Sequence, residues 1–361
     1  MKCSIITIHH IHNFGSVFQA YSLYKFLLEQ GYDTELIDYR PAYYDHGKNR
    51  LKTVVGKSLN LRHYLKRKKK FESFITTYDK LSPQRAVTEK ELSSLYGEEA
   101  HVFIAGGDQL WNDYHPCGRD DAYKLTFARK GKKLSYGTSM GRDGFDSATL
   151  EALAEKTKDF SHVMLRESVN VPMLQAHTDV PVSHVIDPVG LLDVEEFKKI
   201  AKKPKIKEPY AVMYLADSGE VLNEAVAHLS KKLGLKIVHI CGFKKKCACD
   251  LMEKDVGPEE ILGYILHADF VLSASFHATM FSLLFGKPFA TLLPGAKTNA
   301  RIEDILKKVG LDNRIIHTKE ELSVLDEHID FTHANEVLGK FRESSRELLL
   351  RTIKETEEET K

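Results

Sequence analysis

Short β-branched apolar runs alternate with amphipathic helices along most of the chain, and this alternation restricts the fold more than any other feature. "SIITIH" reads as a strand and "HIHNFG" as a loop. "SVFQAYSLYKFLLEQ" reads as a helix with Val17, Ala20, Tyr21, Tyr24, Leu27 and Leu28 on one face, stopped by Gly31. "TELIDY", "HVFIA", "KKLSYGTS", "HVMLR" and "VSHVIDP" supply further strands, while residues 45 to 100 are less regular. Single helices between strands require crossover connections, which predicts parallel sheets covered on both faces.

The second half repeats the pattern. "YAVMYLA", "KIVHIC", "DFVLSAS" and "PFATLL" are strands separated by "EVLNEAVAHLSKKLG", "PEEILGYILHA" and "TMFSLLFGKPF", and "RIEDILKKVGL" follows. At 361 residues the chain exceeds what one core usually serves. We therefore expect an α/β protein of two Rossmann-like lobes with a cleft between them. One lobe is expected over 1–190 and the other over 191–330, joined through "FKKIAKKPKIKEPY". Residues 331–361 form a helix with Val337, Leu338, Phe341, Leu348, Leu349 and Ile353 as its stripe, expected to pack back on the first lobe.

Composition limits the partners. With 52 Lys and Arg against 51 Asp and Glu the net charge is +1, which provides no global field for nucleic acid or membrane. No nucleic-acid-binding module is visible. The basic run at 62 to 70 is either a solvated helix face or a peripheral contact with an anionic membrane face. "MKCSIITIHH" is too short for a secretory signal, and no run is long enough to span a bilayer, so a cytoplasmic location is expected. The cysteines are Cys3, Cys117, Cys241, Cys247 and Cys249; the cluster "CGFKKKCACD" lacks the second ligand pair of a structural zinc site and reads as a loop with free thiols.

Ligands of open parallel sheets collect beyond the carboxyl ends of the strands. Four junctions there carry chemistry: "HHIHNFGS"; "GGDQLWND", with Gly106, Gly107, Asp108, Gln109, Trp111 and Asn112; Arg166 in "LRES"; and "SASFHATMF". Each has a plainer reading. His9, His10 and His12 can be strand-end and loop residues, and the two glycines a turn. Arg166 can pair with an acid such as Glu167, and Trp111 can be core rather than a flat face for a sugar.

"NFGSVFQAYSL", "FIAGGDQLWN", "SYGTSMG", "LRES", "HVIDPVGLL" and "SFHATMFSLLFGKPF", in that order and followed by "RIEDILKKVGL", resemble the polysaccharide pyruvyl transferase family over about residues 3 to 312. One departure is Gly107, where GSDQ with a serine is the commoner form. The resemblance implies a GT-B-like fold with phosphoenolpyruvate as co-substrate and no cofactor or metal. The acceptor would be a sugar or lipid-linked oligosaccharide, and the product a pyruvate ketal used in exopolysaccharide or capsule biosynthesis. On its terms His277 serves in donor binding and acid–base chemistry, and Arg166, Ser275, Ala278 and Arg301 bind the donor. Asn13, Gly106, Gly107, Gln109 and Trp111 hold the acceptor, and Asp108 orients or activates its hydroxyls. Capping by Ser275, a helix cap at Asp108, an Asn13 turn, and pairing of Arg301 with Glu303 and Asp304 are the structural alternatives; Phe276 is expected to pack, and Asp187 to be structural. Two other functions share the architecture: a nucleotide-sugar glycosyltransferase and a non-catalytic carbohydrate-binding protein.

Overall fold

A computed structural model describes residues 1–44, 50–215, 219–240, 246–293 and 299–358, the side chains of 50–60 and 356–358 excepted. In chain order the strands and helices are β1 (Lys2–Ile6), α1 (Phe14–Glu29), β2 (Asp33–Leu36), α2 (Arg50–Tyr78), α3 (Glu89–Tyr96), β3 (Val102–Gly106), β4 (Lys132–Tyr136), α4 (Ser147–Thr157), β5 (Phe160–Leu165), α5 (Asn170–Gln175) and β6 (Val182–His184). There follow α6 (Val194–Ile200), β7 (Tyr210–Tyr214), α7 (Glu220–Ala227), β8 (Lys236–Ile240), β9 (Leu251–Glu253), α8 (Pro258–Leu266), β10 (Phe270–Ser273), α9 (Phe276–Phe285), β11 (Phe289–Leu292), α10 (Ala300–Lys308), β12 (Ile315–Ile316) and α11 (Thr332–Glu358). The chain divides into two compact units. Unit 1 comprises Met1–Val54, Glu72–Leu192 and Lys340–Lys361, and unit 2 comprises Val55–Phe71 and Asp193–Gly339.

Unit 1 contains a six-stranded sheet in the order β2-β1-β3-β4-β5-β6, parallel throughout. The order reverses between β1 and β3, whose ladder pairs Cys3 with Val102 and Ile5 with Ile104. α1 buries Val17, Ala20, Tyr21, Tyr24 and Leu27, but Leu28, expected on the same face, is 44% exposed. At the end of the helix Gly31 takes φ +86°, a conformation in which a side chain would be strained. Residues 340 onward of α11 belong to this unit. Leu349 and Ile353 are buried there, the backbone N–H of Ile186 donates to Ser345 Oγ at 2.9 Å, and Arg342 Nε donates to the Gly190 carbonyl at 2.8 Å.

Unit 2 holds a second six-stranded parallel sheet, in the order β12-β11-β10-β7-β8-β9, which reverses between β7 and β10. The expected α/β class with two parallel sheets is thus observed. Three details differ from the sequence expectation. The stretch read as less regular, with a helix face foreseen only at 62 to 70, contains α2, which runs from Arg50 to Tyr78 without a stable apolar period and whose residues 55–71 belong to unit 2. The helix expected over "EVLNEAVAHLSKKLG" is α for Glu220–Ala227 and widens into a π-turn at His228–Lys232. β9 and β12, three and two residues long, are too short to leave a periodic signature.

Candidate active site

At the switch point of unit 2 the chain leaves β10 and turns directly into α9. Ser273 Oγ donates to the carbonyl of Tyr214 at 2.5 Å and accepts from the backbone N–H of Ser275 at 3.0 Å, tying the ends of β7 and β10 together. Ser275 is the N-cap of α9, with extended φ/ψ of −93° and 128°, and its hydroxyl accepts from Ala278 N–H at 3.4 Å. Its carbonyl accepts from Thr279 N–H at 3.0 Å and from Thr279 Oγ1 at 3.1 Å. Phe276 is 5% exposed and packs as expected, edge-on to the partly exposed His277 ring with centroids 5.2 Å apart. From the start of α10, Arg301 reaches the same place: its Cζ lies 5.9 Å from the Phe276 ring centroid while its Nε donates to Asn299 Oδ1 at 3.2 Å. Ser275, His277, Ala278 and Arg301 are therefore brought together. A helix N-terminus, an imidazole and a guanidinium in one place complement a phosphate or carboxylate.

The switch point of unit 1 is built differently. Gly107 and Asp108 both take left-handed backbone, at φ +67° and +51°, directly after β3. A Cβ on Gly106 would lie 2.4 Å from Leu23 Cδ2, and one on Gly107 would lie 2.9 Å from Gln19 Oε1. In this chain glycine at 107 is thus suited both to its φ and to the close approach of α1. The Asp108 carboxylate accepts from Ser16 Oγ and, at 2.7 Å, from the N–H of Gln109. Ser16 lies in the first turn of α1, whose N-cap Asn13 accepts from Gly15 N–H at 2.8 Å, so the start of α1 and Asp108 meet across β1 and β3. Gln109 Oε1 accepts from Asn112 Nδ2 at 2.5 Å.

Two expected site residues stand elsewhere than the sequence suggested. Trp111 is 3% exposed, sits in the unit 1 core and donates its ring N–H to the Tyr123 carbonyl at 2.8 Å. It is a core residue and offers no face to a sugar. Arg166 is 4% exposed and its Nη1 donates to Asp187, which also accepts from Gln19 Nε2 at 2.9 Å and from Val189 N–H at 3.0 Å. Burial opposes the charge of Arg166, but Asp187 and Glu167 outweigh it and raise its pKa. Through Asp187 this guanidinium ties the end of β5 to the segment that follows β6. Asp187 caps the turn Pro188–Gly190.

The sequence reading named His9 and His10 but passed over the partners that make them part of a polar cluster beyond β1 and β2. Asp38 Oδ1 takes Arg40 Nε at 2.5 Å and lies 3.2 Å from His9 Nε2, while Oδ2 takes Arg85 Nε at 2.9 Å. Burial opposes the Asp38 charge, and the bonds from His9, Arg40 and Arg85 overcome it, holding the carboxyl below the usual range. His10 beside it is lowered to about 3, first by burial and then by the charges around it. Asp38 ends "TELID", so the strand-end rule applied to "HHIHNFGS" would have found it too. Ser139 Oγ donates to the fully buried Glu167, and Tyr39 and Tyr43 donate to Asp120 at 2.8 and 2.7 Å. No sequence signal singled out these contacts. In "CGFKKKCACD", Cys247 is buried and Cys249 partly so, whereas Cys241 lies outside the described residues. Among the described residues no group of His, Cys, Asp and Glu is placed to hold a metal ion.

Solved structures with the same architecture are distant in sequence. A candidate UDP-N-acetylglucosamine 2-epimerase from Listeria monocytogenes is 12% identical, with a TM-score of 0.60 over 100% of this chain and 97% of its own. The UDP-GlcNAc 2-epimerase of Methanocaldococcus jannaschii is 14% identical, with a TM-score of 0.55 over 98% and 99%. Arabidopsis thaliana UGT89C1, complexed with UDP-L-rhamnose, is 12% identical, with a TM-score of 0.53 over 98% of both chains. Such likeness establishes the GT-B-like fold and nothing finer. No curated protein matches the sequence. The family described as polysaccharide pyruvyl transferase matches residues 13–294, from the N-cap of α1 to just beyond β11, and so takes in both switch points. The chain belongs to the polysaccharide pyruvyl transferase family.

Proposed function

We propose that the protein transfers the pyruvyl group of phosphoenolpyruvate to two hydroxyls of a sugar in a polysaccharide precursor, forming a cyclic ketal and releasing phosphate. Family membership supports the transferase reading. The observation that carries the finer one is the β10–α9 junction, where Ser275, His277, the amide of Ala278 and Arg301 converge at a switch point. In this reading the α9 N-terminus and Arg301 hold the two anionic groups of the donor. His277 is the acid–base residue. One acceptor hydroxyl proton ends on the methylene carbon, which becomes a methyl group, and the other leaves with phosphate. Two C–O bonds to the former enol carbon form as its bond to the phosphate oxygen breaks. Asn13, Gly106, Gly107, Asp108 and Gln109 are assigned to the acceptor; Trp111 and Arg166 are assigned to support of the fold.

The test is calorimetric titration of the purified protein with phosphoenolpyruvate and, separately, with UDP, followed by phosphate-release assays on a panel of lipid-linked and nucleotide-linked sugars. Binding of phosphoenolpyruvate and acceptor-dependent phosphate release are expected. Binding of UDP alone would instead indicate a nucleotide-sugar glycosyltransferase, and binding of neither would favour the carbohydrate-binding alternative.

A further inference from the structure

Charge is unevenly distributed along this nearly neutral chain. Residues 46–71 contain ten Lys and Arg and no Asp or Glu, leaving 42 Lys and Arg against 51 acids elsewhere, a formal charge of −9 for the remainder. The described part of this segment is helical, and its two sides differ. At 3.6 residues per turn, positions 61, 62, 65, 66, 68 and 69 fall on one continuous arc of about 160°. All six are exposed: Leu61 and Leu65, at 48% and 51%, lie one turn apart, with Arg62, Lys66, Lys68 and Lys69 around them. The opposite side fastens the helix to unit 2. There His63 Nδ1 lies 3.0 Å from Asp255 Oδ2, Lys70 Nζ donates to Glu260 Oε2 at 2.7 Å and to the Asp255 carbonyl at 2.8 Å, and Phe71 is buried. Lys66, at the edge of the arc, lies 3.7 Å from Asp255, and the exposed Glu72 follows on the same arc one turn beyond Lys68.

We infer that this face of α2 docks the protein on an anionic phospholipid surface. Its charge is complementary to such a surface, and clustered Lys and Arg gain most within a Debye length of anionic headgroups. The leucines decide between polyanions. A nucleic acid backbone would be met by the cations alone, whereas two exposed apolar side chains framed by cations suit the boundary between headgroups and acyl chains. Among the described residues no helix is long and apolar enough to cross a membrane, so docking here is from the side of the lipid surface.

Flotation of the full-length protein with phosphatidylcholine vesicles, with and without phosphatidylglycerol, tests the inference. Partition onto the anionic vesicles is expected to exceed that onto neutral ones at least about tenfold and to fall as salt rises. Arg62→Glu with Lys69→Glu should lower it at least about tenfold. Leu61→Ser with Leu65→Ser should lower it about fivefold while leaving binding to a single-stranded oligonucleotide unchanged. Should the charge-reversed protein melt early, the leucine variant carries the test. The inference is overturned by wild-type protein that shows no preference for anionic vesicles, or by leucine replacements without effect on vesicles. It is likewise overturned by an oligonucleotide that binds as tightly as the vesicles with the same dependence on Arg62 and Lys69.

Discussion

The two switch points contrast in how they handle charge. In unit 1 the ionic groups near the strand ends are bonded within the protein: Asp108 by the Ser16 hydroxyl, Asp38 by His9, Arg40 and Arg85, and Arg166 by Asp187. In unit 2 the corresponding place is built mainly of hydroxyls, backbone amides and one apolar ring, with His277 and Arg301 beside them and Glu303 accepting from the Asn299 N–H at the start of α10. Charges that neutralise each other in a buried site stabilise a geometry. An anion-complementary place made from a helix terminus has positive potential left to offer a ligand. Unit 1 should therefore respond to mutation mainly in stability or acceptor positioning, and unit 2 mainly in chemistry.

The largest expected effect is at His277. Its replacement by Ala should reduce phosphate release about 10²- to 10⁴-fold with the melting temperature nearly unchanged, because the ring is partly exposed and the Ser275 cap remains. Wild-type rates would remove the residue from the chemistry. Next is Arg166→Ala, which strands Asp187 in the interior and should cost about 3–5 kcal/mol in a urea titration. If this variant unfolded like the wild type while donor affinity collapsed, the division between the units would be wrong.

A smaller effect, confined to acid, is expected at His10. Its folded pKa of about 3 lies below the ordinary histidine value of 6.5, so between those values the unfolded chain takes up a proton that the folded chain refuses. This contribution is fully present above about pH 6.5 and is lost as the pH falls toward 3. Asp38 adds an acid limb at lower pH, since its bonded carboxylate must be protonated. In His10→Phe the urea midpoint should decline less between neutral pH and about pH 5 than in the wild type. Smallest is Ser275→Ala: loss of the cap should destabilise the protein by about 1 kcal/mol, measured by thermal melting. A turnover loss much larger than that stability change implies would assign the hydroxyl a second role at the donor.

Much of the unit 2 site was legible in advance because its signals are local. Ser275 and Gly286 bracket α9 within a dozen residues, and the apolar run before them could only be a buried strand, so the position of His277 at a strand-to-helix junction followed. The unit 1 site was legible in part. The turn at Gly106, Gly107 and Asp108 stands at the strand end where it was expected, while Trp111 was assigned to a sugar-facing surface and is core instead. The burial of Trp111 and of Arg166 was hidden for the same reason. A residue's type and its place after a strand do not reveal whether a later segment covers it, and Arg166 is enclosed by Asp187, 21 positions on, which α1 contacts through Gln19.

The sequence alone determined the α/β class, most strands and helices, the caps that end them and the family. All of these depend on periodicity and residue chemistry within a few turns of chain. Only the tertiary structure decided which strand lies beside which, and hence where each sheet reverses. It also decided that Gln19 meets Asp187 across 168 positions, that Ser345 receives the amide of Ile186 across 159, and that α2 carries its basic face outward from Asp255 and Glu260. Those pairings follow from crossover connections and burial, which bring distant segments together irrespective of local pattern.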